Sequence, residues 1–98
     1  MIVLFVAHLG QIVATPGALV ALAAADTSPS ILLSRHASGD WGDLDALDRA
    51  ANDAALRDGS RLLSVYTVAE GVTVWIITEA ADDDGHRAAT TLLLPEEY

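Results

Sequence analysis

The sequence predicts an α+β domain: an N-terminal strand and two or three helices packed on a C-terminal three-stranded antiparallel meander. Three observations carry that expectation. Hydroxyl–proline pairs open apolar stretches at Thr15-Pro16 and Ser28-Pro29, the apolar repeat is helical between Leu44 and Asp58, and it turns extended from Arg61 onward. Ninety-eight residues accommodate one such domain and leave no room for a second core.

Ile2–Val6 is an unbroken apolar run of strand length, and Gln11–Ala14 reads as a second extended segment. Thr15 then supplies a capping hydroxyl and Pro16 a residue preset for the first helical position, which predicts a helix over about Pro16–Ala25. That helix is apolar on every side, so part of it is expected against the core and part against a partner. Ser28-Pro29 repeats the start signal for a short helix over Ser30–Ala37, which Gly39 is placed to end. Asp40-Trp41-Gly42-Asp43 forms a polar turn around a tryptophan.

Leu44–Asp58 gives the clearest helix and Gly59 closes it. At helical spacing Leu44, Leu47, Ala51, Ala54 and Ala55 form its expected inner face, opposite Asp45, Asp48, Arg49 and Asn52. Leu56 falls among the polar residues, and nothing in the sequence explains it. Arg61–Ala69 and Val72–Glu79 are strands joined at Glu70-Gly71, a two-residue hairpin signal. After the acidic tip Asp82-Asp83-Asp84-Gly85, Ala88–Leu94 is the last strand, stopped by Pro95.

Fourteen acidic residues against five basic ones give a net charge of −9. Such a surface repels phosphate, which argues against direct nucleic-acid binding and against anionic membranes, and leaves basic proteins, metal cations or neutral small molecules as partners. The absence of cysteine removes disulfide scaffolds, thiol chemistry and thiolate-bound zinc. Ala23-Ala24-Ala25 looks like a small-residue cleavage site, but no Lys or Arg occurs before Arg35, so the basic start of a secretion signal is missing and a cytoplasmic location is expected. Polar residues and Pro16-Gly17 also interrupt the apolar stretch too often for a membrane helix.

The densest polar region is Arg35–Asp43. In a chemical reading His36 is a general base or metal ligand oriented by Asp40 or Asp43, with Glu79 as a further carboxylate candidate. In a structural reading Arg35 and His36 meet the carbonyls at a helix C-terminus, Asp43 caps the next helix and Trp41 anchors the turn. Ser64 with Tyr66, and Trp75 with Glu79, share strand faces that would form a hydroxyl-rich patch if they stacked. Asp82–Asp84 lacks calcium-loop spacing, because the required glutamate position is Thr91. Phosphate-binding glycine loops and the Gly-x-Ser-x-Gly elbow are absent, so neither a metal nor a cofactor is expected.

Gly10-Gln11-Ile12-Val13-Ala14-Thr15-Pro16-Gly17-Ala18-Leu19, Arg35-His36 followed by Gly39-Asp40-Trp41-Gly42-Asp43-Leu44, Arg61–Tyr66, Trp75–Ala80 and the ending Leu94-Pro95-Glu96-Glu97-Tyr98 resemble, in order, a family of bacterial plasmid and integrated-element proteins of about this length. Members are often labelled subunit M of a type I restriction system. A methyltransferase subunit needs a nucleotide-cofactor fold with a glycine-rich loop and an Asn/Asp-Pro-Pro-aromatic catalytic loop, and this chain has neither. The resemblance implies a mobile-element context, in which small acidic proteins often interfere with host defence. It draws interest to His36, Asp40, Trp41, Asp43, Ser64, Tyr66, Trp75 and Glu79, and away from Asp82–Asp84, since Ala81–Ala88 is longer than the family's turn.

The expected function is therefore that of a non-enzymatic binding module or inhibitor, meeting a basic host-defence or nucleic-acid-binding protein through Asp40, Trp41, Asp43, Asp45 and Asp48. The alternative is a small enzyme or ligand-binding domain built on His36, Asp40 and Asp43 or on Tyr66 and Glu79. A third expectation is a homodimer formed through the Pro16–Ala25 helix or an open sheet edge.

Overall fold

Thr15 does what its position predicts: its Oγ1 accepts from the Ala18 N–H at 3.1 Å and opens helix α1, Pro16–Ala24, in the computed structural model of the chain. The structure describes residues 9–98, so the strand expected at Ile2–Val6 lies outside the described residues. Helix α2 runs Pro29–Ala37; Ser28 stands before it, but its Oγ faces Ser30 Oγ at 3.1 Å and caps no amide. Helix α3 runs Ala46–Asp58 and ends on left-handed Gly59. Its cap is Asp45, which accepts from the Asp48 N–H at 2.8 Å, and not Asp43 as the turn suggested. Asp43 lies outside the helix and bonds elsewhere.

The strands are β1 (Gln11–Ala14), β2 (Leu62–Ala69), β3 (Val72–Thr78) and β4 (Ala89–Leu93), followed by a 3₁₀ turn at Pro95–Glu97. They form one sheet in the order β1-β4-β3-β2. The expected antiparallel meander is present in β2–β3–β4, with Val65 opposite Trp75 and Thr78 opposite Thr90. The sheet as a whole is mixed, because β1 lies parallel to β4 with Ile12 opposite Thr90. All three helices and the hairpin intervene between these two strands, the kind of long crossover that parallel neighbours require.

All three helices pack on one face of this sheet. Tyr66, Val74, Ile76 and Leu92 point inward and meet Ala18 and Leu22 of α1 and Leu32 of α2. A second cluster gathers Trp41, Ala55 and Leu62, with Leu9, Leu44 and Leu56 packed against it. Here the inner face of α3 differs from the apolar stripe in the sequence. Leu47 is 83% exposed, whereas Asn52, Ala55, Leu56 and Gly59 follow helical spacing toward the core. Asn52 is buried because its amide pairs with both backbone groups of Leu63, donating at 2.6 Å and accepting at 3.1 Å. This explains Leu56: the phase of α3 is set by a polar residue that imitates a neighbouring strand.

Behind α1, Asp26 is the only non-glycine residue at positive φ among the described residues, at 56°. It occupies the position after the C-cap Ala25, where glycine relieves the Cβ clash. Asp26→Gly is expected to stabilise the fold by about 1 kcal/mol and raise Tm by about 4–8 °C. A thermal melt monitored by circular dichroism checks this, and an unchanged or lower Tm contradicts it.

Candidate functional site

The polar residues of the inner sheet face form one continuous chain. His36 lies on the buried stripe of α2, one turn after Leu32, and has no exposed surface. Its Nδ1 is 2.6 Å from Ser64 Oγ on β2, and its Nε2 is 2.8 Å from Thr78 Oγ1 on β3. Thr78 Oγ1 lies 2.8 Å from Thr90 Oγ1 on β4, which donates to the Leu9 carbonyl at 2.6 Å. A carbonyl only accepts, and that sets the direction of the chain. Thr90 donates to Leu9 and accepts from Thr78, Thr78 accepts from His36 Nε2–H, and His36 Nδ1 accepts from Ser64. A ring so fully buried is uncharged at neutral pH, so its one proton sits on Nε2 and Nδ1 is the acceptor. Burial lowers its pKa to about 4, with a smaller contribution from the Arg87 guanidinium. Trp41 meets the ring edge-on, with centroids 5.6 Å apart.

Ser64 beside His36 has the spacing of a nucleophile and its base. Both side chains are completely enclosed, however, so a substrate has no approach to either in this conformation. Surface hollows lie elsewhere, one lined by Gly39, Asp53, Leu56 and Arg57 and another by residues that include Ala21, Gly71 and Pro95.

The carboxylates expected beside His36 have other partners. Asp40 is held by Arg35, whose Nε donates at 2.6 Å and Nη2 at 3.3 Å. That bond keeps the Asp40 carboxyl below its usual pKa, and a further bond from the Gly42 N–H acts in the same direction. Asp43 Oδ2 accepts from the Thr67 hydroxyl at 2.6 Å and the Thr67 N–H at 3.0 Å, and these bonds lower its pKa likewise. Both ring nitrogens of His36 are taken by hydroxyls, so the His36–Asp40–Asp43 constellation does not assemble.

Tyr66 and Glu79 do not come together either. Tyr66 is buried opposite Val74, carries Arg35 4.4 Å above its ring and donates to the Asp40 carbonyl at 2.6 Å. Burial pushes its hydroxyl pKa up to about 12. Glu79 is exposed just past β3, five residues from Val74, or roughly 16 Å along the strand. The hydroxyl patch expected from Ser64, Tyr66, Trp75 and Glu79 is therefore split. Ser64 and Tyr66 face the helices, while Trp75 points to the other side and packs against Tyr98 at 5.7 Å.

Trp41, expected on a partner-binding surface, is only 2% exposed, and its Nε1 donates to Asp53 at 3.1 Å. It supports the Asp40–Asp43 turn from inside. That turn closes the outer edge of β2. Val65 N–H donates to the Trp41 carbonyl at 3.1 Å, Asp43 N–H donates to the Val65 carbonyl at 2.7 Å, Asn52 covers Leu63, and Asp43 covers Thr67. An edge that would otherwise pair with another chain is thereby sealed at every second residue.

Two groups of exposed acids remain. Asp45 and Asp48 sit at the start of α3, beside Asp43. Between Asp40 and Asp58 there are six aspartates and two arginines, one of which, Arg49, folds back to donate to the Gly42 and Leu44 carbonyls. At the other group, Asp82, Asp84 and His86 bring ligand atoms within 4.8 Å of one another, the one such grouping among the described residues. Asp82 Oδ1 there already accepts from the Asp84 and His86 N–H groups, which shapes the loop.

No protein-family model, curated protein or solved structure matches the chain.

Proposed function

We propose that the protein is a non-enzymatic binding module that presents the loop before α3 and the first turn of that helix to a basic protein partner. The observation that carries this is the outward placement of Asp43, Asp45 and Asp48 on a rigid corner of a chain with net charge −9. Their backbone is fixed by the Asp45 cap and by the two bonds to Val65, so the carboxylates are presented without an ordering cost. Such a patch raises the encounter rate with a positively charged surface and gives salt-sensitive binding. The residues best suited to chemistry, His36, Ser64 and Tyr66, are enclosed and satisfied within the scaffold, which supports a binding role over a catalytic one.

The resemblance to plasmid and integrated-element proteins favours a cytoplasmic partner that itself handles nucleic acid, such as a nuclease or a defence complex, because those proteins carry basic surfaces. Among the described residues no single helix is long and apolar enough to cross a membrane.

Asp45→Ser with Asp48→Lys tests this. Serine retains the capping oxygen, so the helix stays intact while the charge is removed at one position and reversed at the other. A partner captured from the host at low salt is expected to bind the variant about tenfold more weakly and with a shallower salt dependence. Equal affinity of the two proteins at low salt rules the acidic corner out.

A further inference from the structure

We infer that two copies of the chain associate through the outer edge of β1, each β1 pairing antiparallel with the other across a two-fold axis. This rests on the two sheet edges and not on the acidic corner. At the β2 edge, both backbone groups of Leu63 and Val65 and the N–H of Thr67 have partners within the chain. At the β1 edge, Gln11 and Thr15 turn their N–H groups inward to the Ala88 and Leu92 carbonyls, both at 3.0 Å. By strand alternation Ile12 and Ala14 direct theirs outward, where no described residue meets them. Ile12 and Val13 on this strand are 46% and 41% exposed.

Charge selects a second copy as the occupant. Two chains of net charge −9 repel at most contacts, but Leu9 to Ala25 contains no ionisable residue, and the Glu97 carboxylate lies at the Thr15 end of the strand, where it accepts from the Thr15 hydroxyl, so reversed copies of β1 meet without directly opposed carboxylates. A basic protein has no reason to prefer this neutral edge over the acidic corner. An identical edge is self-complementary when reversed, and because the β2 edge is sealed, pairing stops at a closed dimer and does not extend into a filament. A four-residue strand offers few hydrogen bonds, so the dimer forms reversibly with concentration.

Sedimentation of the full chain over a wide concentration range, with amide exchange at both extremes, tests the inference. The expected result is a monomer–dimer equilibrium in which the Ile12 and Ala14 amides are protected in the dimer and exchange freely on dilution. Ile12→Lys places two cations beside the two-fold axis and is expected to raise the dimer Kd about tenfold or more. Leu47→Lys, on the far more exposed residue of α3, is expected to leave it unchanged. A chain that stays monomeric at every concentration overturns the inference, and so does a dimer indifferent to Ile12→Lys. Protection of the Ile12 and Ala14 amides in the monomer overturns it as well, because another segment of the chain then covers the edge. The exchange measurement uses the wild-type chain, so the outcome does not depend on the variant folding.

Discussion

Gly42→Ala is expected to destabilise the protein by about 3 kcal/mol or more. Gly42 has φ +78°, and a Cβ there would overlap the Val65 carbonyl oxygen and press on the Tyr66 ring. Relief requires the turn to move away from β2. That breaks the two backbone bonds to Val65, withdraws Asp43 from Thr67 and uncovers Trp41, so several contacts fail together. Gly71→Ala is the matched control. Gly71 has a similar φ of +72° with nothing within 4 Å of the added carbon, so it carries only the backbone strain, about 1 kcal/mol. Urea unfolding of the two variants separates the effects; equal losses would show that the close approach to Val65 is unimportant.

The second large effect belongs to His36. His36→Leu keeps an apolar body of similar size but leaves Ser64 and Thr78 without their shared partner inside the core, and is expected to cost about 2–4 kcal/mol at neutral pH. The pH dependence makes the assignment specific. In the unfolded chain the imidazole takes up a proton near 6.5, and in the folded chain only near about 4. As pH falls from 6.5 toward 4, the unfolded state therefore binds more protons than the native state, and stability declines over that window by roughly 3 kcal/mol. Below pH 4 the contribution of His36 levels off. Asp40 and Asp43 have lowered pKa values, so the stability they add is present above their ordinary 3.8 and is lost only at more acid pH. Urea unfolding at several pH values between 4.5 and 7 is expected to show the decline in the wild type and not in His36→Leu. A slope that persists in the variant assigns it to another group.

Much of the fold was legible in the sequence because local chemistry alone decides it. Thr15-Pro16 and Gly59 set helix ends through one capping bond and one left-handed residue, and Glu70-Gly71 sets a hairpin. The site was less legible for two reasons. The side-chain alternation that pairs Ser64 with Tyr66 was visible, but only strand register shows which face is buried, and it placed Trp75 and Glu79 opposite to where a common patch required them. The polar neighbours of His36 in sequence are Asp40 and Asp43, whereas its partners lie 28 and 42 residues away on two strands. A signal did exist. Ser64, Thr78 and Thr90 occupy the same strand parity as Leu62, Ile76 and Leu92, and three hydroxyls in a core stripe require a shared polar partner.

Propensity, capping and charge act over a few residues, and they suffice for the α+β class, the order of helices and strands among the described residues, and the excess of carboxylates around α3. Tertiary structure alone decided that β1 joins the sheet parallel to β4, that Asn52 and not Leu47 sets the phase of α3, and that His36 is a neutral link across three strands. Each depends on a buried polar group finding a partner far along the chain. The cost of leaving such a group unpaired is imposed only once the chain has closed around it.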